Sequence, residues 1–207
     1  MPLIFALFGL VLAWLVMLLF GAMEFDRGLL LYFYAGDRPE LARVATWLTQ
    51  LGGFRVLVPL TAFGAGFLLY RRNWRDALLL VAITLSGRLL VALQKDWTGR
   101  IRPDPQGHLV PVESFAFPSG HAANATLVLL SLALILPTGP RARLLSIWAG
   151  VWLALAVGAS RVMLGVHWPS DVIGGWAFGL FWTLLILRLA GHPLEEGTPE
   201  GSPHSSR

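Results

Sequence analysis

Twenty residues from Leu3 to Ala22 contain no charged side chain, and this run constrains the fold more than any other feature of the chain. A helix needs roughly 20 mostly apolar residues to cross the hydrocarbon of a bilayer. Lipid offers no partner to backbone N–H and C=O groups, so such a run is helical. It lacks a basic leader and a small-x-small cleavage site, and reads as a retained helix rather than a signal peptide. Five further apolar runs follow: Val56–Tyr70, Ala77–Gln94, Ala122–Leu136, Leu144–Ser160 and Val172–Leu187. Several are short, but their flanks can extend them as helix. The expected fold class is all-α, a polytopic membrane protein with about six transmembrane helices. Composition agrees: 14% of residues are charged and the mean hydropathy is +0.65, whereas soluble domains carry about 25% charged residues.

The basic residues give an orientation. Arg71, Arg72 and Arg75 lie between the second and third runs, and Arg141 and Arg143 between the fourth and fifth. Short loops rich in Arg stay cytoplasmic, which would put both termini inside. The opposite loops are not free of cations, however. They hold Lys95, Arg100, Arg102 and Arg161, and topology does not account for these; anion binding would. Lys95 is moreover the sole lysine of a chain whose other basic residues are all arginine. A net charge of +4 in a membrane chain points to headgroups rather than nucleic acid. The absence of cysteine excludes disulfides, thiolate catalysis and thiolate-ligated metals.

The first outer loop is long. Asp37-Arg38-Pro39-Glu40 has the form of a helix start, with Asp37 as cap and Pro39 in the first turn. Leu41, Val44, Ala45 and Leu48 then recur at helical spacing until Gly52-Gly53. A short amphipathic interfacial helix is expected there. The apolar stretch Leu29 to Tyr34 reads as a loop suited to a lid or lateral gate. Residues 1–190 are expected to form one membrane domain, and residues 191–207 a polar, disordered cytoplasmic tail.

Three clusters carry chemistry. They are Lys95 to Pro103 (with Arg102), Pro118-Ser119-Gly120-His121, and Ser160-Arg161 followed by His167 and Asp171. Each sits at the end of an apolar run, and alternating topology brings all three to one membrane surface. Lys95, Arg102 and Arg161 supply three cations, the arginines through a planar fork suited to phosphate. Ser119 and Gly120 open a helix, whose N-terminal N–H groups bind anions. Asp171 lies four residues after His167, in the first turn of the last run. A carboxylate on one imidazole nitrogen fixes the tautomer and leaves the other free to attack. His121 can protonate a leaving alkoxide. Singly, each residue has a plainer reading as a helix cap, a dipole partner or an interfacial side chain. Their coincidence at one surface favours an anion site with a nucleophile.

The pattern K-x6-R-P, P-S-G-H and S-R-x5-H-x3-D resembles the type-2 phosphatidic acid phosphatase superfamily. That superfamily spans bacterial lipid phosphatases, glucose-6-phosphatase and soluble vanadium haloperoxidases. Leu51 through Gly175 looks most like the small bacterial phosphatidylglycerophosphatase B-type enzymes, some of which act on undecaprenyl diphosphate. The resemblance implies His167 as nucleophile, Asp171 as its partner and His121 as the acid. It implies Lys95, Arg102, Ser119, Gly120 and Arg161 as phosphate ligands, with no metal or other cofactor. The implied substrate is a membrane lipid bearing a terminal phosphate or diphosphate.

Three other readings compete. A transporter would place polar residues in mid-span, where only Arg88 is charged. Gly158-Ala-Ser160-Arg161 mimics a serine-nucleophile motif but has no histidine inside a span to serve it. A catalytically inactive lipid-phosphate binder would not need the full motif set. Gly175 and Gly179 form a small-xxx-small pair, expected to serve close helix packing within the chain.

Overall fold

The computed structural model describes residues 2–21 and 23–193, so most of the expected polar tail lies outside the described residues. Within these residues eight α-helices follow one another: α1 Pro2–Phe20, α2 Glu24–Phe33, α3 Pro39–Leu51, α4 Phe54–Tyr70, α5 Trp74–Thr98, α6 Gly120–Ile135, α7 Pro140–Met163 and α8 Pro169–Leu189. Among the described residues there is no strand. The helices outrun the apolar stretches that predicted them. Lys95, Arg161 and Asp171 all lie on these polar extensions, so rigid helix carries them rather than loop.

α6 is the hub, packed on α4, α5, α7 and α8, while α1 lies along α8. Leu80, Ile83, Leu127 and Leu187 are fully or almost fully buried between α5, α6 and α8. Gly175 and Gly179 let α8 close on α6. A Cβ at Gly175 would lie 2.7 Å from Ser119 O, and one at Gly179 2.8 Å from Ala123 O. The glycine pair thus serves packing inside the chain, as expected. The outer faces are apolar. Leu78, Leu85 and Leu89, spaced to share one face of α5, are each more than 60% exposed. Such faces suit lipid, not water.

Among the described residues, five helical runs are long and apolar enough to cross a membrane, with α3 and α4 counted together as Pro39–Tyr70. α6, expected as a full span, has only 16 residues, about 24 Å at 1.5 Å per residue against a core of about 30 Å. Its burial explains how it can be short. Neighbouring helices cover its length, so its ends need not reach headgroups on their own.

Two local expectations change. The apolar stretch Leu29 to Tyr34 is not a loop: most of it forms α2. Arg38, rather than Asp37, is the N-cap residue of α3, and its side chain makes no capping bond to the helix. Pro39 at the first helical position explains the start, because its φ is preset and it has no N–H to satisfy. The Arg38 guanidinium instead donates to the carbonyls of Tyr32 and Tyr34, fastening α3 to the end of α2. α3 itself packs on α7 and α4, with Ala45 and Thr49 buried.

Candidate active site

The ends of α5, α6, α7 and α8 meet around a cleft of about 390 Å³. Lys95, Arg102, Gly120, His121, Arg161 and His167 line it, so the three sequence clusters converge. Val110, Pro111, Val112, Glu113 and Ser114 of the loop before α6 form another part of its wall. Backbone bonds hold the parts together: Ser119 N donates to Asp171 O at 2.8 Å, and Ala116 N to Arg100 O at 2.8 Å. The first of these links the N-terminus of α6 directly to that of α8.

His167 is buried just ahead of α8. Its Nδ1 lies 3.3 Å from Asp171 Oδ2, and its Nε2 lies 3.1 Å from Arg102 Nη1. These partners define the tautomer: Nδ1–H donates to the carboxylate and Nε2 accepts from the guanidinium. Asp171 Oδ2 also accepts from Trp168 N at 2.9 Å, as a first-turn acid does at a helix start. Burial, and then the charges of Arg102, Lys95 and Arg161, hold the His167 pKa well below the ordinary histidine value. The imidazole is therefore neutral at physiological pH, with a lone pair on Nε2.

Carbonyls and two hydroxyls orient the cations. Lys95 Nζ donates to Phe115 O at 2.5 Å. Arg102 Nε donates to Ser114 O at 2.6 Å, and its Nη2 to Ser114 Oγ at 3.3 Å. Arg161 Nη1 donates to Thr49 Oγ1 of α3 at 2.8 Å. No carboxylate forms an ion pair with Lys95, Arg102 or Arg161 among the described residues, so their charge remains available to an anion. Ser119 Oγ and Arg161 Nε are buried without a hydrogen-bond partner. Unpaired buried donors are costly, and a phosphate oxygen would satisfy them.

Sequence reasoning left out several residues that hold this site. Arg100, grouped by the sequence with the cations that anion binding would explain, instead donates to Asp171 Oδ1 at 2.9 Å. Thr49 carried no signal, since nothing in the sequence pairs it with Arg161. Ser170 lies between two assigned residues and accepts from Arg100 Nη1 at 3.2 Å. Ser160, the serine of the protease reading, donates to Val157 O within its own helix at 2.6 Å and is not among the residues lining the cleft. Arg88 stacks over the Phe54 ring at 4.6 Å, a cation–π contact, and borders a separate apolar groove.

An imidazole braced by a carboxylate, facing three cations and a helix N-terminus, can attack and stabilise a phosphoryl group. The chain belongs to the PAP2 superfamily, whose family model matches residues 76–192. It is 41% identical over 155 residues to phosphatidylglycerophosphatase B of Bacillus subtilis, covering 72% of this chain and 75% of that protein. It is 30% identical to undecaprenyl-diphosphatase of Sulfolobus acidocaldarius, over 69% of this chain and 68% of that one. The crystal structure of the transmembrane PAP2-type phosphatidylglycerolphosphate phosphatase from Bacillus subtilis superposes with a TM-score of 0.81 at 33% identity. That match covers 89% of this chain and 96% of the other.

Proposed function

We propose that this protein is an integral-membrane lipid phosphatase that works through a phosphohistidine on His167. The observation that carries the reading is the pairing of His167 Nδ1 with Asp171 at 3.3 Å, while the other ring nitrogen faces a cleft bordered by Lys95, Arg102 and Arg161. The substrate phosphate binds those three cations, the Ser119 hydroxyl and the N-terminal N–H groups of α6 at Gly120. Arg102 occupies the Nε2 lone pair at rest. Turning its N–H groups to phosphate oxygens frees that nitrogen. Nε2 then attacks phosphorus, the bond from phosphorus to the lipid oxygen breaks, and His121, which takes up a proton once the phosphate's negative charge offsets the three cations beside it, gives that proton to the departing alkoxide. In the second half, water gives a proton to His121 and attacks the phosphohistidine. Inorganic phosphate leaves and His167 is restored. Positive charge lining the cleft stabilises both transition states. No metal or other cofactor is needed for this route.

The substrate is a lipid because the cleft lies at the helix ends, at headgroup depth. Two apolar grooves lie elsewhere on the same helices. One lies between α2, α7 and α8, bordered by Leu29, Phe33, Val172 and Trp176. The other, between α4, α5 and α6, includes Asn124, whose Nδ2 is within 4.0 Å of a Cβ built on Gly120. Both suit acyl or prenyl chains. Relatives named for phosphatidylglycerol phosphate and undecaprenyl diphosphate make these lipids the leading candidates, with phosphatidic acid next. The Arg-rich loops favour an inner (plasma) membrane orientation with the site on the extracytoplasmic face and both termini cytoplasmic.

The test compares kcat/KM across these lipids and glucose 6-phosphate in matched detergent with chelator present. A lipid is expected to lead. A sugar phosphate that equals every lipid, or turnover that collapses on chelation, would overturn the reading. Brief reaction with labelled substrate, quenched in alkali, is expected to trap an acid-labile phosphoprotein that His167→Ala does not form.

A further inference from the structure

Arg100 lies outside every position that the phosphate chemistry uses. It is the first residue after the Gly99 that ends α5, and its side chain is largely buried. Five groups from three parts of the fold surround it. Nη1 donates to Asp171 Oδ1 at 2.9 Å and to Ser170 Oγ at 3.2 Å. Nη2 donates to Met17 O at 2.9 Å and to Leu18 O at 2.5 Å. The guanidinium carbon stacks over the Phe117 ring at 4.4 Å. The two α1 carbonyls belong to its last turn, where backbone oxygens have no partner within the helix and favour a cation.

The connection runs on into α2. Asp26, buried near the start of that helix, accepts from Ser170 N at 2.9 Å and from Ser170 Oγ at 2.5 Å. A continuous chain of bonds therefore runs from Asp26 through Ser170 and Arg100 to Asp171, and from Asp171 to His167. Gly21, in the corner between α1 and α2, is pressed against the same cluster. A Cβ there would collide with Ser170 Oγ and with the Arg100 guanidinium.

We propose that Arg100 is a positioning residue for the His167 nucleophile: it holds the Asp171 carboxylate in register with Nδ1 and makes that register depend on the α1–α2 corner. Asp171 has two oxygens, and each has its own assignment. Oδ2 takes the imidazole and the Trp168 N–H; Oδ1 takes Arg100. With Oδ1 released, the carboxylate can rotate, and the imidazole it orients rotates with it. A misplacement of about 1 Å at a reacting group can cost about 10²-fold in rate. α1 and α2 contribute no residue to the three motifs, yet they form part of the scaffold on which the nucleophile rests.

The inference rests on the phosphohistidine reading, so His167→Ala is measured beside it. The full-length protein is purified in detergent, and each variant is checked for monodispersity and melting temperature. Arg100→Gln is expected to lower kcat about 10²-fold with KM little changed, because Arg100 touches no substrate. Arg100→Lys keeps the charge without the fork and is expected to recover part of the loss. Asp26→Asn and Gly21→Ala, acting from the α1–α2 side, are expected to lower kcat in the same direction by less. The deciding measurement is a double-mutant cycle. If Arg100 works through Asp171, Asp171→Asn costs little more in the Arg100→Gln background than Arg100→Gln alone. Wild-type kcat in Arg100→Gln, a KM effect without a kcat effect, or fully additive losses would overturn the proposal. Should Arg100→Gln not fold, the same cycle is run with Asp26→Asn, and additivity there has the same meaning. Full turnover in His167→Ala would instead overturn the phosphohistidine reading itself.

Discussion

Two groups of basic residues, one at each end of the helix bundle, sit in opposite settings. At the end bearing the α4–α5 and α6–α7 turns, Arg71, Arg72, Arg75 and Arg141 are exposed. At the site end, Lys95 and Arg161 are buried, and Arg100 and Arg102 are partly so. Each of the four has at least one defined acceptor. Charge on those four arginines is solvated, while Arg143 beside them is half-buried and donates to Leu134 O at 2.9 Å. Charge at the site end has been withdrawn from solvent, which costs free energy unless a partner compensates, and its geometry is set atom by atom. Counting arginines per loop, the basis of any topology rule, treats both ends alike. It therefore understates the asymmetry between them.

This contrast can be broken by substitution, and the largest effect is expected at the nucleophile. His167→Ala is expected to reduce phosphate release to background, a loss of at least about 10³-fold on the scale of other nucleophile deletions. Asp171→Asn should be less severe, since it leaves the attacking nitrogen in the chain. Retention of more than a few per cent of the wild-type rate in His167→Ala would remove the nucleophile assignment.

A smaller loss is expected from the phosphate-facing cations. Arg161→Ala should lower kcat about 10²- to 10³-fold, comparable to removing one donor that stabilises transition-state charge. Thr49→Val leaves the guanidinium present but removes its 2.8 Å acceptor, and should cost less, about tenfold for one charge-assisted bond. Equal losses from the two substitutions would mean that α3 contributes as much as the cation it holds. Inhibition by vanadate, a mimic of the five-coordinate transition state, should weaken in the same order.

The buried setting of His167 also predicts its titration. Its pKa is depressed, so the folded protein keeps the imidazole neutral through the range where a free histidine, near 6.5, takes up a proton. Nitrogen-15 NMR of histidine-labelled protein should show His167 as the Nδ1–H tautomer at pH 6. An imidazolium signal there would contradict the derived electrostatics. The sign for stability follows: below about 6.5 the unfolded chain binds a proton that the folded one refuses, so this residue's contribution declines as pH falls.

The smallest effects belong to the other end. Arg72→Cys and Arg141→Cys should change turnover by no more than about twofold, as exposed sites far from the chemistry usually do. Because the chain has no cysteine of its own, each introduces a single thiol. Labelling of intact cells with an impermeant reagent should spare both. Reaction from outside would reverse the proposed orientation, and a large loss of activity would blur the distinction between the two ends.

The residues themselves determined much of this. Uncharged runs about the thickness of a bilayer leave helix as the only way to satisfy the backbone, so the all-α membrane fold was legible without any tertiary information. The three clusters were legible because each is local in sequence, and the spacing of His167 and Asp171 marks a helix start. The sequence did not show that α6 is short, since its length is tolerable only because neighbours cover it. It did not show that Leu29 to Phe33 belongs to a helix, because a short apolar run has no periodicity to decide between helix and loop. Nor could it distinguish Arg100 from any other outer cation. That role depends on contacts with Met17, Leu18 and Asp171, 70 or more residues away in the chain. Thr49 is the same case, 112 residues from Arg161. Helix and motif are properties of neighbours along the chain, which a sequence records. Which oxygen meets which guanidinium is decided by how the helices pack, and only the tertiary structure holds that information.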